Sequence, residues 1–159
     1  MSSRTSHSTR VDLQQTIARL ERQGGGRREP VSLPLGIPRI DRLLPDGGLP
    51  LGCLHEVSGA AADGFLAVIA GRLRAPLLWC LDAEENERPY APALRAFGVA
   101  PGDLVFACCR TAKDLLWASE EGLRCGALGL VVADLRERLD LAASRRLQLA
   151  AATGGATGI

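Results

Sequence analysis

Strictly apolar runs separated by helical segments constrain this chain more than any other feature. LLWCL at 77–81, LVFACC at 104–109 and LGLVVADL at 128–135, up to its Asp134, are apolar at consecutive positions rather than at every second one. Such runs suit central strands of a parallel sheet, covered on both faces. A further strand is expected in CLHEV, 53–57, which reads as buried. Helices are expected at about 38–44, 64–74, 90–98, 111–126 and 140–153. In the fourth, Leu115, Leu116, Ser119 and Leu123 fall on one stripe; in the last, Leu141, Leu147 and Leu149 are apolar, with Arg145 and Arg146 between. The alternation predicts an α/β fold with a mostly parallel sheet and right-handed crossovers. The closing TGGATGI reads as a helix end followed by the start of another strand. A truncated C-terminus is therefore expected, with an open sheet edge and poor solubility of the piece alone.

Sheets of this kind place their sites at the carboxyl ends of the strands. Three stretches lie there: 59–66, 82–85 and Asp134. The first, GAAADGFL, carries Gly59 and Gly64 at the spacing of a phosphate-binding P-loop. A working loop continues with Lys, which neutralises phosphate charge, and Ser or Thr, which holds magnesium. Here Phe65 and Leu66 take those places, and Asp63 adds a negative charge beside them. Arg72 and Arg74 follow two to three turns on along the same helix, and an Arg from a neighbouring chain stays open as a replacement for the Lys. The residues point to a nucleotide fold without its nucleotide. Gly59 and Gly64 are expected to serve the turn, and Phe65 and Leu66 to pack into the core. Neither a cofactor nor catalysis is expected, and bare loop amides could hold an anion only weakly.

Glu84 falls in an acidic cluster, DAEENE, and reads as a solvated loop residue; Asp134 reads as a cap for the following helix. His55 and Glu56 form part of the strand-end motif, and His55 reads as a structural histidine with no nucleophile beside it. The five cysteines include no CxxC pair and mostly sit in apolar runs, as buried small side chains of a reducing cytosol do. No metal site is expected.

Residues 1–10 read as a disordered tail, 11–23 as an amphipathic helix, 24–32 as a linker and 33–159 as the core. Leu13, Ile17 and Leu20 share one face of the N-terminal helix, which must dock either on its own domain or on a neighbour. No segment approaches the about 18 apolar residues of a membrane span, and the first ten residues lack a secretory apolar core. The reading is a cytoplasmic protein. Net charge is only +1, so no general field draws DNA. Arg27, Arg28, Arg136, Arg138, Arg145 and Arg146 leave a local patch open as an alternative to solvated helix faces.

GIPRIDRLLPDGGLPLGCLHEVSG resembles the entry to the ATPase core of RecA-type recombinases. The strand ending in Asp-Ala-Glu, the Tyr-Ala helix and VVAD continue that likeness over about 33–153. On it, Glu84 would stand where the water-activating Glu lies, and Asp134 at the magnesium-shell position. The combination of PDGGLPLGCLHEV with SRRLQLAA is similar to the ImuA family of RecA-like bacterial proteins. That resemblance implies an accessory role in SOS-induced translesion DNA synthesis, beside a Y-family-like polymerase protein and an error-prone C-family polymerase. A RecA-type recombinase is a further candidate partner. Two other functions stay open: an ATPase that remodels a repair complex, and an SOS cell-division inhibitor that binds the tubulin-like division protein.

Overall fold

The computed structural model describes residues 31–84, 88–136 and 138–159. The expected tail, the helix carrying Leu13, Ile17 and Leu20, and Arg27 and Arg28 lie outside the described residues. Among the described residues the elements run β1 (Ser32–Leu33), α1 (Pro38–Asp41), a 3₁₀ turn (Pro45–Gly47), β2 (Leu49–Pro50), α2 (Ala62–Leu73), β3 (Leu77–Asp82) and α3 (Ala91–Ala96). A second 3₁₀ turn (Pro101–Asp103), β4 (Leu104–Cys109), α4 (Ala112–Arg124), β5 (Leu130–Ala133), α5 (Leu141–Gly154) and β6 (Thr157–Gly158) follow. β1 and β2 form a small antiparallel pair. The main sheet is parallel, in the order β4-β3-β5-β6.

β3 lies between two strands, with Trp79 opposite Phe106 on one side and Val132 on the other. Its side chains alternate between two cores, as strand geometry requires. Leu77, Trp79 and Leu81 face the layer of α2 and α3, together with Leu130 and Val132 of β5. Leu78 and Cys80 face α4 and α5, with Val131 and Ala133. Both faces are dry, so the run has no polar positions to alternate with.

Close packing of α2 on α3 depends on Gly71. A Cβ there would stand 1.8 Å from the Phe97 carbonyl oxygen, and backbone cannot give way cheaply. α4 and α5 are joined by charge. Glu120 on α4, only 7% exposed, accepts hydrogen bonds from Arg124 of its own helix and from Arg146 of α5. The Arg146 bond, ahead of the Arg124 interactions, holds the Glu120 carboxyl below its ordinary range against the opposing effect of burial. Arg146 is thereby engaged within the fold.

Three expectations are corrected. CLHEV is not a buried strand: its only bridge joins Leu54 to Gly158 of the two-residue β6, and Glu56 is exposed. The backbone there is satisfied piecemeal, with Leu54 N donating to Gln148 Oε1 (3.0 Å) and His55 N to the Gly158 carbonyl (2.8 Å). Asp134 does not cap the following helix; Asp140 does, accepting from Ala143 N at 2.6 Å. Of the three leucines expected on α5, only Leu147 is buried, while Leu141 is 91% exposed; Ala150 and Ala151 complete the packed face, where the α4 backbone approaches Gly154.

Gly71→Ala is expected to destabilise the fold by about 2 kcal/mol or more, as overpacking does, and Glu120→Gln by about 2 kcal/mol through weakened charged hydrogen bonds. Denaturant melts of the two variants check both.

Candidate functional site

The segment with P-loop glycine spacing turns sharply at Gly59, whose φ of +115° is open only to glycine at low cost. Gly59 thus serves the turn as anticipated. Gly64 does not. It lies inside the first turn of α2 with ordinary helical φ, and a Cβ there would meet nothing within 4 Å. Phe65 and Leu66 point inward. Leu66 is 7% exposed, and Phe65 packs against the same core. The two positions where a P-loop places its cation and its magnesium ligand are thus occupied by side chains that hold α2 to the sheet.

Arg72 offers no replacement. Its guanidinium lies against Gly36, in a separate shallow pocket bordered by Val68 and Phe97. Arg74, beyond the end of α2, is held in a left-handed conformation (φ 50°).

Beside this loop a cleft of about 390 Å³ opens between α2, β3, α3 and the end of β5. Asp63, Gly64 and Ala67 line it from α2, Trp79 from β3, and Asp134 from just past β5. Arg88, Pro89 and Tyr90 line it from the segment before α3, and Leu94 and Phe97 from beyond. Asp134, first through desolvation and then through Asp63, has a pKa above its ordinary value of 3.8. Asp63 also lies in the first turn of α2, where a carboxylate offsets the helix dipole much as a bound phosphate would. The residues present do not fit a magnesium triphosphate: two carboxylates face the cleft, and one guanidinium, Arg88, lines it with them. Glu84 is not among the lining residues; it is exposed on a turn closed by its N–H bond to Asp82 Oδ1 (2.9 Å).

The strand-end histidine is structural. His55 Nε2 lies 2.7 Å from the Pro50 carbonyl, which can only accept, so Nε2 carries the proton. Contrary to expectation, a nucleophile does lie beside it: Cys53 Sγ is 3.3 Å from Nε2. The thiol also donates to Pro50 O, and burial raises its pKa, so it stays protonated. Among the described residues no three His, Cys, Asp or Glu side chains cluster as a metal site, and no helix is long and apolar enough to cross a membrane.

Sequence reasoning missed Trp79, Arg88 and Tyr90 as cleft residues, since a tryptophan inside an apolar run signals only core. It also missed a junction. Gln148 of SRRLQLAA takes the Leu54 N–H of GCLHEV, and Gly52 N donates to Thr157 Oγ1 at 3.0 Å. A hydrogen bond therefore joins the two motifs directly.

The parallel β4-β3-β5-β6 sheet between helical layers, entered through a glycine turn at the head of α2, defines a RecA-like α/β protein. No protein-family model matches the chain. It is 30% identical over 149 residues to Protein ImuA of Caulobacter vibrioides, in strains NA1000 and ATCC 19089, covering 86% of this chain. It therefore belongs to the ImuA family. The chain spans 59% of the length of those relatives. It is also 31% identical over 121 residues to a plasmid RecA protein of Lactococcus lactis, covering 72% of this chain and 35% of that protein. Among solved structures, SulA from Pseudomonas aeruginosa superposes with a TM-score of 0.52 at 26% identity, over 66% of this chain and 91% of that one.

Gly64→Ala is expected to leave stability unchanged or raise it by up to about 1 kcal/mol, the helix-interior preference for alanine. A loss of more than that in a melt would show a packing role not evident at this position. Asp134→Asn is expected to stabilise the protein at neutral pH. With its folded pKa raised, the charged Asp134 costs stability once pH rises from 3.8 through the folded value. The advantage of Asn should therefore fade as pH falls below that range, with Asp63, Arg88 and Tyr90 the other titratable groups lining the cleft. Melts of both proteins across pH 3 to 8 (roughly the span of carboxylate titration) check it.

Proposed function

We propose that this chain is a non-catalytic, RecA-like accessory protein of SOS-induced error-prone translesion DNA synthesis. In this reading it works in the cytoplasm beside a Y-family-like polymerase protein and an error-prone C-family polymerase. Family membership supports the pathway. The observation that carries the non-catalytic reading is the inward packing of Phe65 and Leu66, beside a cleft lined by Asp63 and Asp134. Phosphoryl transfer is almost wholly positioning and charge neutralisation. A site whose cation position is apolar and whose cleft is anionic lacks both means. The fold then serves as a scaffold that presents surfaces to partners.

The ATPase reading assigns water activation to Glu84, and the cell-division reading needs no effect on mutation at all. A strain lacking the gene separates the three. Loss of damage-induced mutation, restored by the wild-type gene and within about twofold by Glu84→Gln, is the expected outcome; removing a true catalytic base would cost at least about a hundredfold in turnover. Failure of Glu84→Gln to restore mutation would favour the ATPase. Unchanged mutation in the deletion strain, with filamentous cells on overproduction, would favour the division inhibitor.

A further inference from the structure

Trp79 sits in the middle of β3 and is 3% exposed, yet it also lines the cleft. Its indole Nε1 has no hydrogen-bond partner among the described residues. Buried N–H donors are nearly always paired, and an orphan donor in a cleft wall marks a place for an acceptor that arrives with a ligand. The surrounding groups say what else that ligand carries. Asp63 comes from the head of α2 and Asp134 from the end of β5, against the single guanidinium of Arg88. Their mutual repulsion is relieved by a cation. Tyr90 and Phe97 stand at the rim, 71% and 47% exposed, where aromatic faces can stack on a guanidinium or cover an alkyl stem. At about 390 Å³ the cleft is at the small end of ligand pockets, enough for one long side chain and its backbone.

We propose that the former nucleotide cleft is a docking site for a cationic side chain, arginine or lysine, on an extended segment of a partner protein. The cation lies between Asp63 and Asp134, and the backbone carbonyl of the same residue accepts from Trp79 Nε1. A nucleotide meets only half of these demands: it offers acceptors to Trp79 but carries its phosphates toward two carboxylates. A cationic residue meets both. Loss of the phosphate clamp and gain of a partner site would then be one change: apolar side chains at 65 and 66 fix α2, and Asp63 turns the loop's charge preference from anion to cation. This inference rests on the accessory-protein reading and names the chemistry of one partner contact.

The test is a titration of the ¹⁵N-labelled full-length protein, following the Trp79 indole N–H resonance, assigned by its disappearance in Trp79→Phe. The probe is the blocked peptide acetyl-Gly-Arg-Gly-amide. The expected result is a saturable downfield shift of that resonance. The same peptide with citrulline, neutral and of nearly the same shape, should bind at least about tenfold more weakly, as should arginine peptide against Asp63→Asn plus Asp134→Asn. Both Asn changes remove charge at the cleft surface, and retention of the remaining dispersed resonances confirms that the variant is folded. Equal binding of the citrulline peptide, no saturable shift, or a saturable shift with adenosine that the arginine peptide does not displace, would each overturn the proposal. A failed titration beside successful complementation by Glu84→Gln would remove this inference and leave the accessory reading standing.

Discussion

β3 is the constraint on which the rest of the structure depends. It is hydrogen-bonded to β4 on one side and β5 on the other, and both faces are covered. Cys80 is wholly buried at its centre. A strand in that position tolerates no polar alternation, and its neighbours must bring apolar layers to it. α2 does so through Leu66, Ala67, Ile69 and Ala70, and α4 through Leu115 and Leu123. Phe65 and Leu66 are recruited to the same task. Two positions that phosphate chemistry would reserve for Lys and Ser or Thr here carry apolar side chains that pack α2 on the sheet.

The charge pattern follows from that change. A helix N-terminus needs an anion or a polar cap. Ala61, at the cap position of α2, offers no side-chain hydrogen bond, and Asp63 supplies negative charge in the first turn. With Asp134 across the cleft, two carboxylates oppose each other, and desolvation, ahead of the charge of Asp63, pushes the Asp134 carboxyl above its ordinary range. Elsewhere the fold spends charge on cohesion: Glu120 ties α4 to α5 through Arg146. That pairing gives one arginine of the patch left open for DNA a partner within the fold, while its side chain stays largely exposed.

Much of the fold was legible because buried parallel strands announce themselves. LVFACC became β4 without adjustment, LLWCL became β3 with Asp82 added, and LGLVVADL became β5 shortened by two residues at each end. CLHEV misled because an apolar run beside a glycine turn looks the same whether it pairs along its length or touches one residue of a short neighbour. Asp134 and Asp140 both precede α5, and only backbone geometry shows which one reaches Ala143 N. At the site, the loss of Lys and Ser or Thr was readable directly. The cleft was not, because Trp79 of β3, the Arg88–Tyr90 segment before α3, and Asp134 past β5 are far apart in the sequence and meet only in the fold. Gly64 carried a misleading signal: it keeps the spacing of a phosphate loop while the helix around it makes no demand for glycine.

Apolar packing at Phe65 and Leu66 leaves the loop with no side chain to clamp a phosphate. Calorimetric titration of the full-length protein with magnesium ATP, beside the Phe65→Lys plus Leu66→Thr variant, addresses it most directly. The expected result is no saturable heat from the natural protein at millimolar nucleotide, corresponding to affinity weaker than about 1 mM, and reduced stability of the variant because buried Leu66 and partly buried Phe65 are lost. Saturable binding by the natural protein at micromolar nucleotide would contradict it, and would mean that Arg88 or another cation supplies the charge assigned here to no residue of the loop.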